Sequence, residues 1–136
     1  MLRFVFFSLL LLYSCQIFEF DEIKEISDIQ FTEIQESDYI LVDVRTAEEY
    51  ESGHIQDAVN FDFYSESFQN DILTLDKSSL IILYCRTQNR STKTANYLKE
   101  NGYKEITVLT GGITSWVKNG NDLVYNFSQE IKSREE

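Results

Sequence analysis

The stretch "SLIILYCRTQNRS", residues 79–91, decides the fold. After Ser79 it is apolar on successive residues up to the phenolic tip of Tyr84, as in a strand buried on both faces. It then turns through a short polar loop holding Cys85, Arg86 and Arg90, and enters "STKTANYLKENG", a helical pattern from Ser91 that stops at Gly102. Working outward, "YILVDV" (39–44) reads as a second fully buried strand and "EITVLT" (105–110) as a third. "TAEEYESG" (46–53) is a short helix ending at Gly53. "AVNFDF" (58–63) is a brief strand, residues 66–75 form a helix, and "GGITSWVKNG" (111–120) makes a turn and a last helix. Strands alternating with helices of this length predict an α/β fold, a compact and mostly parallel central sheet with helices on both faces. In such sheets ligands bind outside the carboxyl ends of the strands. Cys85 stands at the carboxyl end of the most apolar one.

The chain of 136 residues suits one ordinary domain, and 43% hydrophobic content supplies one core. Its net charge of −11 argues against nucleic acid, whose phosphates require an excess of Lys and Arg. An anionic ligand must instead be drawn by a local positive patch, and Arg86, Arg90 and Lys93 form the tight basic cluster. One histidine and no cysteine cluster imply neither a metal nor an organic cofactor.

The N-terminus has a different character. "MLRFVFFSLLLLYSC" carries Arg3 and then an apolar run, Phe4 to Tyr13, too short for a spanning helix and suited to a signal peptide. Its end resembles a bacterial lipoprotein signal, with Leu12, small Ser14 and Cys15 as the lipid-bearing residue. The expected organisation is a signal peptide over 1–14, a lipidated N-terminus and spacer over 15–25, a domain over 26–127 and an acidic tail over 128–136, with "QIFEFDEIKE" (16–25) read as either a short acidic spacer or a first strand leading into the domain. Gln16 after Cys15 resembles signals that pass lipoproteins to the outer membrane. With Cys15 acylated, Cys85 is the one free thiol of the mature chain. The domain opens with a helix start, Ser27 as N-cap with Gln30 three residues on and Ile26 and Phe31 as a hydrophobic staple.

A thiol attacks as the thiolate, which is favoured at a helix N-terminus and beside cations. The loop offers both: Arg86 and Arg90 supply charge, and an arginine fork also grips an oxyanion. A buried cysteine is commonly just a small hydrophobe. Two arginines and a helix start within five residues favour a nucleophile with an anion site next to it.

Three stretches, in order, resemble the rhodanese family of sulfurtransferases: "DVRTAEEYESGHIQDAVN" (43–60), "CRTQNRS" (85–91) and "LTGGITSW" (109–116). The resemblance covers roughly residues 26–117. It implies a compact α/β fold and a catalytic Cys85 that carries sulfane sulfur as a persulfide. It gives donor binding to Arg86, Thr87, Gln88, Asn89, Arg90 and Ser91. It further implies a small anionic donor such as thiosulfate, and a thiol, cyanide or sulfur-carrier protein as acceptor. The family's loop is six residues, matching Cys85 to Arg90, whereas related phosphatase loops are one residue longer with arginine where this chain has Ser91. A phosphatase is thereby disfavoured, and the absence of a resolving cysteine argues against a periplasmic thiol redox protein. The family commonly has glycine at the Gln88 position, so a positive φ there would strain the loop by about 1–2 kcal/mol. A module that only stores sulfur or binds a partner is the alternative to an enzyme.

Asp43 and Arg45 end a buried strand as possible supporting residues, though structural roles are preferred for both. Arg45 and Glu49 have helix-pair spacing. His54 is expected to be structural and Trp116 a core anchor. Gly111 and Gly112 are expected to turn tightly and bring a strand end to the cysteine loop.

Overall fold

A computed structural model describes residues 22–34 and 39–125. The expected signal peptide, Cys15, Gln16 and the acidic tail over 128–136 lie outside the described residues. Ten elements alternate: β1 (Lys24–Ile26), α1 (Asp28–Thr32), β2 (Tyr39–Asp43), α2 (Ala47–Glu51), β3 (Val59–Asn60), α3 (Phe68–Ile72), β4 (Leu80–Tyr84), α4 (Asn89–Glu100), β5 (Ile106–Leu109) and α5 (Gly112–Lys118). The strands form one sheet in the order β1-β5-β4-β2-β3, and every pairing is parallel.

The two-residue period of β4 divides the core. Ile81, Leu83 and Cys85 face a cluster with Phe68 and Ile72 of α3 and Ala95 and Leu98 of α4. Ile82 and Tyr84 face the other, with Phe31 of α1 and Ile113 and Trp116 of α5. Residues Ile81 to Cys85 are each at most 1% exposed, so the strand is apolar on both faces because neither meets solvent. Side chains of Thr46 and Ser27 cap α2 and α1 in reciprocal boxes with Glu49 and Gln30. Ile26 and Phe31 are both buried in the second cluster, as a staple requires.

Three boundaries differ from expectation. Helix α4 begins at Asn89 rather than Ser91, because the Gln88 carbonyl already accepts the Thr92 N–H at 2.9 Å. Strand β3 shrinks to two residues because its ladder partner among the described residues, β2, ends at Asp43 opposite Asn60. Helix α3 covers Phe68–Ile72 instead of 66–75, its C-terminal side passing into turns closed by Thr74 and Leu75 N–H groups.

From β2 the chain passes to β3 on one side, and from β4 to β5 on the other. The switch point therefore lies between the carboxyl ends of β2 and β4. Cys85 and the Asp43–Arg45 segment both leave the sheet there.

Candidate functional site

Cys85 follows the last residue of β4 with 1% of its surface exposed, and it is a free thiol. The chain turns through exposed Arg86 and Thr87 and half-buried Gln88 into α4. The first-turn N–H groups of α4, Asn89 to Ser91, have no carbonyl within their own helix to reach, and the positive end of the helix dipole lies with them. Buried Ser91 places Oγ 3.5 Å from Cys85 Sγ and donates to the Gln88 carbonyl at 2.9 Å.

The loop is held from behind by α5. Ile113 N–H donates to the Cys85 carbonyl at 3.0 Å, Thr114 N–H to the Arg86 carbonyl at 3.1 Å, and Thr114 Oγ1 to that same carbonyl at 2.8 Å. Gly112 makes this approach possible. It has φ +58°, and a Cβ there would collide with the carbonyl oxygens of Cys85, Thr87 and Arg86. The paired glycines thus turn tightly beneath the cysteine loop.

Gln88 has φ −155°, outside the left-handed region, so the strain that a positive φ would impose is absent. Its side chain instead donates to Glu25 Oε1 on β1 at 2.6 Å. Thr87 and Asn89 are exposed on the rim.

The two arginines are not equivalent. Arg90 gives both terminal nitrogens to Glu49, at 2.6 and 2.9 Å, and lies over the Tyr64 ring at 5.7 Å. This fork holds the Glu49 carboxyl far below the ordinary 4.5, at about 2, and raises the Arg90 pKa. Arg86 is exposed, and its guanidinium has no ion-pair partner among the described residues.

The i,i+4 pair of Arg45 with Glu49 does not form. Arg45 turns to Asp43, with Nη2 at 2.7 Å and Nε at 2.9 Å from Oδ2, and donates to the Gly53 carbonyl at 2.7 Å. Thr46 caps α2 and Arg45 precedes the cap, so its side chain is free to fold back instead of running along the helix. Nor does the structure join Asp43 to the thiol. Strand parity puts Asp43 on the Tyr84 side of the sheet, opposite Cys85, and Arg45 covers the Tyr84 ring at 5.9 Å.

His54 stacks on Tyr50 at 3.8 Å, donates from Nδ1 to the Tyr50 carbonyl at 3.1 Å and pairs its backbone with Val124. Trp116 is buried, with its indole N–H on the Asp122 carbonyl at 2.8 Å. Both are structural. Glu49 is the site residue that sequence reasoning missed. Its spacing from Arg45 was read as a helix pair, but its partner is 41 residues away. Among the described residues no group of His, Cys, Asp and Glu could hold a metal ion.

Comparisons with known proteins bear on the family and the fold. The model of the rhodanese-like domain matches residues 30–119. A relative named "Thiosulfate sulfurtransferase GlpE" from Pseudomonas savastanoi pv. phaseolicola is 32% identical over 95 residues, covering 70% of this chain and 88% of that protein. A "Probable molybdopterin-synthase adenylyltransferase" from Porphyra purpurea is 38% identical over 90 residues, 64% of this chain, but the chain spans only 23% of its length. Among solved structures, a rhodanese-related protein from Thermoplasma volcanium superposes with a TM-score of 0.66 at 24% identity, covering 76% of this chain and 99% of that one, which bears on the fold alone.

Proposed function

We propose, on the premise that this chain belongs to the rhodanese-like domain family, that it is a sulfurtransferase working through a persulfide on Cys85. The observation that carries this reading is the thiol itself: it sits at the mouth of β4, inside a six-residue loop that closes into the N-terminus of α4. The Cys85 thiolate attacks the outer sulfur of thiosulfate or a related donor. A new S–S bond forms, the donor's own S–S bond breaks, and sulfite or a thiolate leaves with the electron pair. The persulfide then gives its outer sulfur to a thiol, to cyanide or to a carrier protein, and the free thiolate returns. Arg86 meets the anionic donor, and first-turn N–H groups of α4 favour the anionic sulfur. Arg90, engaged by Glu49, shapes the loop more than it grips the donor.

The N-terminal sequence supports export as a periplasm-facing lipoprotein anchored at Cys15, in the outer membrane. Labelled palmitate incorporated by the full chain and lost in Cys15→Ser is the expected outcome; equal labelling of both rejects the anchor.

A second reading, a module that stores sulfur or binds a partner without turnover, is favoured by the near-complete burial of Cys85. Intact-protein mass separates the readings. Incubation of the folded domain with thiosulfate is expected to add the mass of one sulfur atom, removable by cyanide and absent in Cys85→Ser. A persulfide that forms but that no thiol or cyanide discharges supports the storage module.

A further inference from the structure

Glu49 and Arg90 come from different elements, α2 and the first turn of α4, yet they meet through a two-toothed contact at 2.6 and 2.9 Å. The side chain of Arg90 is 13% exposed and that of Glu49 31%, so the pair is partly sheltered. Arg90 is near enough to Cys85 for the sulfur's charge to add to the rise in its own pKa, after the larger effect of Glu49. A guanidinium with both terminal nitrogens on a carboxylate has spent the fork that would grip an oxyanion, and most of its field is cancelled. Within the loop, residues 85–90, what remains is one cation without an ion-pair partner, exposed Arg86; exposed Lys93 stands further along α4.

We infer that Glu49 is a specificity-determining residue: by holding Arg90 it leaves the loop a single open positive charge, and so favours singly charged persulfide donors over doubly charged thiosulfate. The inference rests on the sulfurtransferase reading. A thiolate nucleophile already repels an incoming anion, and Arg86 offsets that for a monoanion. The second charge of thiosulfate finds no second open cation within the loop itself, and it approaches a chain of net charge −11. With a persulfide R–S–S⁻ the step is balanced without any further reactant. Cys85 bonds to the outer sulfur, the donor S–S bond breaks, and R–S⁻ departs with the electron pair.

The test measures persulfide formation on Cys85 in single turnover against donor concentration, with thiosulfate and with cysteine persulfide, in wild type, Glu49→Gln and Arg86→Gln. Glutamine keeps the size and the capping contact of Glu49 but releases the charge of Arg90. Glu49→Gln is expected to tighten apparent thiosulfate affinity about three- to tenfold, an effect that shrinks at high salt, with less than about a twofold change for cysteine persulfide. Equal shifts for both donors, or a fall in maximal rate alone, would overturn the inference. If thermal melting shows Glu49→Gln unfolded, Arg86→Gln decides. Its exposed side chain can be changed without disturbing the fold, and thiosulfate affinity must weaken more than persulfide affinity; no such difference rejects the role of Glu49. A persulfide that forms with unchanged donor preference sinks this inference alone. No persulfide from either donor on the folded wild type sinks the sulfurtransferase reading, and this inference with it.

Discussion

Between Gly112 and the carbonyl of Cys85 there is no room for a methyl group, and this contact fixes where the sulfur sits. Gly112→Ala adds a Cβ 2.5 Å from the Thr87 oxygen and closer still to that of Cys85, at a φ of +58° that alanine rarely adopts. The α5 turn must back away and take the loop with it. The expected cost is on the order of 1–3 kcal/mol in stability, together with a drop in Cys85 sulfuration of more than about tenfold. Urea melts and the mass assay read the two effects separately. Sulfuration at the wild-type rate would show that the loop keeps its shape without α5. The buried Asp43–Arg45 pair makes the contrasting case. Arg45→Met leaves a carboxylate with 0% side-chain exposure unpaired, and a loss of about 3–5 kcal/mol is expected in the same melts. Because the pair lies on the far face from the thiol, the fraction that stays folded should still be sulfurated.

Elements declared themselves in the sequence to the extent that local chemistry made them. The capping box at Ser27 and the strands β2, β4 and β5 depend on neighbours within a few residues, and they stand in the structure as read. What escaped depends on distant partners. The length of β3 was set by the end of β2, and the start of α4 by one carbonyl bond from Gln88. At the candidate site the cysteine, its loop and the glycine turn were legible. Glu49 was assigned to the wrong arginine because sequence distance favours i,i+4, whereas the fold brings α2 against the first turn of α4. Thr46→Ala tests how these levels join. Loss of the cap is expected to cost about 1 kcal/mol of stability. It also frees the N-terminal end of α2 on which Glu49 stands, so thiosulfate affinity should move in the same direction as in Glu49→Gln, by a smaller factor. A stability loss with no change in donor affinity would show that Arg90 alone fixes Glu49.

For the whole molecule, the ion pair links α2 to the cysteine loop and makes stability answer to acid. The Glu49 pKa is depressed from the ordinary 4.5 to about 2, so between those values the unfolded chain binds the proton more readily. The stabilisation is present in full above about pH 4.5 and is lost as pH falls through about 2. Thermal midpoints of the wild type should therefore decline across that window more steeply than those of Glu49→Gln, and parallel curves would contradict the assignment. The hold of α5 on the loop has a wider consequence. In a trans peptide the carbonyl and the following N–H point opposite ways. Helix α5 draws the carbonyls of Cys85 and Arg86 toward itself, so the N–H groups of Arg86 and Thr87 are turned away from it. The front of the loop is thus aimed by its back. Changes on α5 rotate these peptide planes, and with them the direction in which the loop offers hydrogen bonds, so that direction is set from a helix behind the loop.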